Sequence, residues 1–237
     1  MTRAIPILFE DDTLLAVSKP AGVASAHDPA RPEENIVEML SGHYSKLWPV
    51  HRLDRETSGV LLFARTAEAH ALLNAAFEAR EVAKVYHALV NGQPRWDERT
   101  VEAPLLPNGD RKHRTIVDAE DGKPSVTQFK VLQRVTGVSL VEARPLTGRT
   151  HQVRVHLAVT GSPIACDALY GNGKPILLSD FKKGFRPGSH DERPLLGRLG
   201  LHALSITVRH PVSGVSLFIE APPAKDMGAT LNQLSKL

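Results

Sequence analysis

The sequence predicts an α+β fold in which helices pack on a mixed, mainly antiparallel sheet. Three observations lead there. About eight or nine short apolar or alternating stretches are bounded by Gly, Pro or Asp, as strands are. Only three stretches carry the 3.6-residue spacing of a helix. Strands and long helices do not alternate regularly, which argues against a doubly wound parallel sheet.

The elements follow in order. "IPILFEDDTLLAVSKPAG" reads as two short strands joined by an acidic turn at Asp11 and Asp12, with Pro20 and Gly22 ending the pattern. "PEENIVEMLSGHY" is a short helix, with Glu33 and Glu34 suited to its first turn and Ile36, Met39 and Leu40 on one face. "GVLLFAR" is a strand covered on both sides. Thr66 is placed to cap the helix "AEAHALLNAAFEAR", whose apolar stripe is Leu72, Leu73, Ala76 and Phe77. "KVYHALVNG" is a strand ending in a turn. "SVTQFKVLQRV" and "VSLVEARPL" flank a turn at Thr136 and Gly137. "RTHQVRVHLAVTG" has helical spacing through Val153 and Leu157 and stops at Gly161; strand alternation around Val153 and Val155 is the weaker reading. "GLHALSITVRHPVSGVSLFIEAP" is a hairpin turning at "HPVSG". Pro and Gly gather around 91–124 and 171–200, which are expected to be loops inside a single domain spanning 1–237, with a candidate insertion at 172–197.

With 237 residues, 42% hydrophobic and 23% charged, the chain is long enough to bury a sizeable core and is not of disordered composition. Its formal charge of +3 permits a nucleic-acid partner without requiring one. The single cysteine, Cys166, excludes an internal disulfide and a Cys-rich zinc site. The N-terminus lacks the pattern of a signal peptide, and no window approaches ~18 consecutive apolar residues. A cytoplasmic monomer without membrane contact is the expectation.

The densest charge lies in "HRLDRETSG" (51–59), directly ahead of the apolar run at 60–64. Asp54, flanked by Arg52 and Arg55, suits a nucleophile or charge stabiliser better than a general acid, because arginines keep a carboxylate ionised. Arg149 and Arg154, with His151 and His156, lie in a distant segment able to supply a guanidinium. A structural ion pair is the plainer alternative. His51, His151 and His156 invite a metal, but no HExxH is present and a spacing of five suits one helical face poorly. Neither a Walker A nor a GxGxxG pattern occurs, so no nucleotide cofactor is indicated. Ser25 and His27 stand without a nucleophile-elbow frame. "GDRKHRT" gathers Arg111, Lys112, His113 and Arg114. "DFKKGFRPGSHDERPLLGR" gathers Lys182, Lys183, Arg186, Arg193 and Arg198. Such loops suit a phosphate backbone or serve only solubility. Aromatics at 5% argue against serial base stacking but allow one base in a pocket.

In its motifs the chain resembles the RluA type of pseudouridine synthase. "SKPAG" (18–22), "HRLDRETSG" (51–59), "KVY" (84–86), "GRTHQVRVH" (148–156), "GSPIACDALYG" (161–171), then "LHA" and "HP" follow the family's order. The resemblance implies a sheet-and-helix fold around a central RNA-binding cleft. It also implies cofactor-free isomerisation of uridine in structured RNA, ribosomal or transfer. Asp54 falls on the catalytic aspartate, Tyr86 on the active-site tyrosine, Arg154 on the arginine paired with the aspartate, and Arg52 on the arginine that fills the place of an extruded base. His51, Arg149, Lys182, Lys183 and Arg186 are expected RNA contacts. Two features depart from the pattern. No S4-type RNA-binding domain is expected within the chain, and Cys166 stands where glycine usually precedes Asp167. A non-catalytic RNA-binding or ribosome-assembly protein is the principal alternative; a glycosidase or nuclease would need acidic partners, for which Asp54 has only the nearby Glu56.

Overall fold

The computed structural model describes residues 4–26, 35–185 and 192–237. In chain order its elements are β1 (Ile7–Glu10), β2 (Leu14–Lys19), α1 (Ile36–Leu40), β3 (Trp48–Pro49), β4 (Ser58–Ala64), α2 (Ala67–Glu78), β5 (Ala83–Asn91), β6 (Glu98–Glu102), β7 (Leu105–Leu106), β8 (Ile116–Val117), β9 (Val126–Val135), β10 (Val138–Pro145), α3 (Gln152–Val159), β11 (Leu201–Arg209), β12 (Ser216–Glu220) and α4 (Lys225–Leu234). They fall into two compact units. The first comprises Met1–Val85 with His202–Pro222, the second Tyr86–Leu201 with Pro223–Leu237.

The first unit is built on β4, whose seven residues are all buried, as a strand covered on both faces must be. β2 runs antiparallel to it (Leu14↔Ala64), β1 pairs with β2, and β3 adds a short antiparallel contact. β11 joins β4 in parallel at His202↔Ser58 and Ala203↔Gly59, and β12 returns antiparallel to β11. Gly59 has φ +114°, and a Cβ there would lie 2.0 Å from the Ala203 carbonyl oxygen. The close strand approach therefore requires glycine. α2 covers the face formed by Leu14, Val60, Leu62, Ile206 and Ile219, contributing Ala69 and Leu73. Thr66 caps it as expected, its hydroxyl accepting the Ala69 N–H at 3.1 Å. Leu72 is a correction to the predicted stripe. It is 55% exposed, because the core-facing stripe passes through Ala69, Leu73 and the partly buried Ala76 and Phe77.

Two turns of this unit are locked together. Asp11 accepts the N–H groups of Thr13 and Leu14, both at 2.7 Å, and the His210 Nε2 lies 2.6 Å from its other oxygen. Burial pushes its carboxyl pKa up, but the Thr13 and Leu14 amides and His210 outweigh that and hold it at about 2. The "HP" turn is thus an anchor for the β1–β2 turn.

In the second unit β5, β10, β9 and β6 form an antiparallel run in that order. Alternation along β5 feeds both faces. Ala88 and Val90 meet Val153 and Leu157 of α3, whereas Leu89 meets Met227, Leu231 and Leu234 of α4. The segment 91–124, expected to be loop, contains β6 and the β7–β8 pair. β6 carries charges on its exposed positions, and β7 and β8 are two residues each, so their periodicity is faint. α4 also goes beyond the three expected helices. Its core stripe, Met227, Leu231 and Leu234, has the i, i+4, i+7 spacing. α1 is capped by Asn35, whose side chain accepts the Glu38 N–H; Glu33 and Glu34 lie outside the described residues.

Candidate active site

Asp54 sits half-buried in the loop between β3 and β4, its carbonyl accepting the Thr57 N–H at 3.0 Å. The loop is fixed from behind. Lys19 is 1% exposed, and its ammonium donates to the carbonyls of Pro20 (2.9 Å), Val23 (2.6 Å) and Arg55 (2.9 Å). The Gly22 N–H also donates to the Arg55 carbonyl, at 2.9 Å. The buried Ser25 hydroxyl donates to the Leu53 carbonyl and receives the Leu53 N–H, both at 2.9 Å. Lys19 and Gly22 of "SKPAG" thus hold the backbone after Asp54, and Ser25 holds the backbone before it. His27 lies outside the described residues.

Arg52 is exposed next to Asp54. His51 turns the other way. Its Nε2 accepts the Leu62 N–H at 3.0 Å and its ring stacks on Phe77, with centroids 5.3 Å apart. Burial, assisted by the Lys84 cation, lowers its pKa to about 3 and keeps the ring neutral. The side chain thus packs against α2 while the residue stays partly exposed. Burial likewise lowers the Lys84 pKa.

Within the second unit, Tyr86 lies on β5 opposite Ala143, partly buried against the Ala88–Val141 cluster. Arg154 on α3 is 7% exposed and grips Asp167 with two bonds, Nε–H to Oδ2 and Nη2–H to Oδ1, each 2.8 Å. Asp167 Oδ1 also receives the Leu169 and Tyr170 amides at 2.9 and 3.1 Å. Burial raises its pKa, but the Arg154 bonds and charge and these amides bring it below the usual carboxylate range. Asp167 stands in the motif at 161–171, but nothing in the linear pattern shows what it pairs with. Gln152 and His156 hold α3 to β9. Gln152 donates to the Val126 carbonyl and Thr127 Oγ1, and His156 Nδ1 lies 2.9 Å from the same hydroxyl. Arg149, partly exposed, reaches the Pro124 carbonyl at 3.4 Å.

The basic loops divide into free and engaged cations. Arg111, Lys112, His113, Lys182, Lys183 and Arg193 are exposed. Arg114 is tied to Asp110 at 2.7 Å, and Arg198 grips Asp226 with two bonds of 2.7 Å, so these two are structural. Arg186 lies outside the described residues. Among the described residues no group of three His, Cys, Asp or Glu is arranged to hold a metal, and no helix is long and apolar enough to cross a membrane.

The profile of the RNA pseudouridylate synthase family matches residues 13–159, the stretch that carries Asp54, Tyr86 and Arg154. The chain belongs to this family. Among its curated relatives are proteins called ribosomal large subunit pseudouridine synthase C. The one from Haemophilus ducreyi is 38% identical over 220 residues, covering 91% of this chain and 65% of the relative. The one from Escherichia coli is 38% identical over 232 residues, covering 96% and 69%. The chain thus spans about two thirds of these relatives' length. Among solved structures, human RNA pseudouridylate synthase domain containing 1 superposes with a TM-score of 0.75 at 26% identity, covering 97% of this chain and 89% of that one. Human domain containing 4 gives 0.72 at 25%, covering 97% and 92%.

As a member of this RluA-type synthase group, the chain has the expected mixed α+β architecture, with antiparallel sheet and packed helices. Its departure at Cys166 now has a physical reading. Cys166 has φ +60°, the left-handed region that glycine enters without cost. The turn that delivers Asp167 is kept, with modest backbone strain in a non-glycine residue.

Proposed function

We propose that this chain isomerises specific uridines to pseudouridine in structured RNA, with ribosomal RNA the foremost substrate class and transfer RNA the second. The observation that carries the reading is the family match across the segment in which Asp54 is held by Lys19 and Ser25. The names of the curated relatives support ribosomal RNA.

In this reading the target base leaves its stack and enters the site, at a cost of a few kcal/mol that is smaller in a loop. Arg52 takes the vacated place. Asp54 acts on the sugar, by attack at C1′ or by removing a sugar proton to start elimination. The N1–C1′ bond breaks, the uracil turns, and C5 bonds to C1′. The C5 proton departs and N1 gains one, so atoms and electrons balance without a cofactor. Tyr86 stacks on the uracil, and Arg154 serves the isomerisation as the active-site arginine that the resemblance implies. Arg149, Lys182, Lys183 and Arg186 attract the phosphate backbone. The protein works as a cytoplasmic monomer.

Asp54→Asn is expected to abolish tritium release from RNA labelled at uridine C5 under single-turnover conditions, while RNA affinity stays within about threefold. Substantial release by the variant would sink the assignment. Wild-type protein that binds RNA but forms no pseudouridine would favour the non-catalytic alternative.

A further inference from the structure

The Arg154–Asp167 pair is part of a larger construction that the proposed chemistry leaves unused. A long arginine side chain has many rotamers, and a guanidinium useful for orienting a charge must be held in one plane. Asp167 fixes its direction through two bonds. The Tyr170 ring lies under its face, 5.2 Å from the guanidinium carbon. That ring is fixed in turn. Its hydroxyl receives the Thr115 N–H at 3.0 Å and lies 2.9 Å from His151 Nδ1. His151 is the residue before α3, with φ +54°, a conformation that strains a non-glycine residue and needs partners to persist. A second tie runs beside the first, from Arg114 Nη1 to the Leu169 carbonyl at 2.9 Å. The loop thus attached, 110–115, is folded on Asp110, which accepts the Lys112 and Arg114 amides, and it exposes Arg111, Lys112 and His113.

We propose that Tyr170 is a positioning residue: its ring sets the plane of the Arg154 guanidinium, and its hydroxyl registers that plane to the 110–115 loop, whose Arg111 and Lys112 hold an RNA phosphate. This rests on the reading that Arg154 serves the isomerisation. The two halves of the side chain have separable duties. The ring governs turnover of bound RNA, and the hydroxyl governs how tightly the exposed cations engage it.

The test compares Tyr170→Phe, Tyr170→Leu, the pair Arg111→Ala/Lys112→Ala, the pair combined with Tyr170→Phe, and Arg154→Ala. RNA affinity and single-turnover rate at saturating enzyme are measured separately, well below each variant's melting temperature. Tyr170→Phe should weaken affinity about five- to tenfold with the rate within about threefold, and Tyr170→Leu should slow the rate by about tenfold or more. The combined variant should bind no worse than the Arg111/Lys112 pair alone, since both act through one contact. A Tyr170→Leu variant that melts lower yet turns over at the wild-type rate would show a merely structural tyrosine and overturn the inference. Strictly additive losses in affinity would overturn the registration. If Arg154→Ala itself turns over normally, the underlying role of Arg154 fails instead, and that outcome is distinguishable from the other two.

Discussion

Lys19 illustrates at the residue scale how a charge can serve the scaffold rather than the chemistry. Its ammonium lies in the interior and meets three backbone carbonyls, one of them on Arg55, directly after Asp54. Charged donors make the stronger hydrogen bonds, and removing one leaves its buried acceptors bare. Lys19→Met should therefore lower unfolding free energy by about 2–4 kcal/mol. It should also slow turnover more than it weakens RNA binding, as denaturant melts and single-turnover assays would show. His51 makes a different prediction. Its ordinary pKa of 6.5 falls to about 3 in the fold, so the unfolded chain binds the proton first. The stability due to its neutral ring is complete above about pH 6.5 and is lost as pH falls toward 3. His156, its pKa also lowered by burial, acts in the same direction. His51→Gln should flatten the fall of Tm between about pH 6.5 and 4.5 without removing it.

Among the elements, β4 decides where Asp54 is presented, because β2, β3 and β11 all register on it. Gly59 is the point at which β11 approaches, and any Cβ there would strike the Ala203 backbone. Gly59→Ala is expected to cost roughly 3 kcal/mol or more, since backbone cannot yield as a flexible side chain does. Chemical denaturation would measure it, and a loss under about 1 kcal/mol would show that the strands can part without penalty. β9, β10 and α2 were legible from their periodicity and β4 from its unbroken apolar run, with turn or capping residues at their ends. β6–β8 were not, because two of these strands are only two residues long and pattern cannot establish itself over that length. α4 carried a readable stripe in Met227, Leu231 and Leu234, but Gly228 and its polar neighbours obscure it.

For the molecule as a whole, net charge is small and its placement matters more. Several arginines that look available in the sequence are engaged: Arg114 by Asp110, Arg154 by Asp167, Arg198 by Asp226. The exposed cations are left to act at long range, among them Lys182 and Lys183 beside Phe181, whose ring lies against Gly137. Neutralising Lys182, Lys183 and Arg186 together should reduce RNA affinity. The slope of log K against log salt should fall by about one for each phosphate that the protein no longer neutralises. Filter binding over a series of salt concentrations would test it, and an unchanged slope would reduce the loop to a solubility feature.

The sequence by itself determined the fold class, the principal strands and helices, and the family, since each depends on short-range periodicity, turn chemistry or motifs in order. It also drew attention to Asp54, Tyr86 and Arg154. Tertiary structure decided which charged groups meet: Lys19 with the Arg55 carbonyl, Asp11 with His210, Arg154 with Asp167, and His51 with the Leu62 amide. Spacing along a chain fixes the face on which a residue sits. Which residue waits opposite depends on how separate segments pack, and a pairing such as Asp11 with His210, formed across nearly the whole sequence, leaves no periodic trace in it.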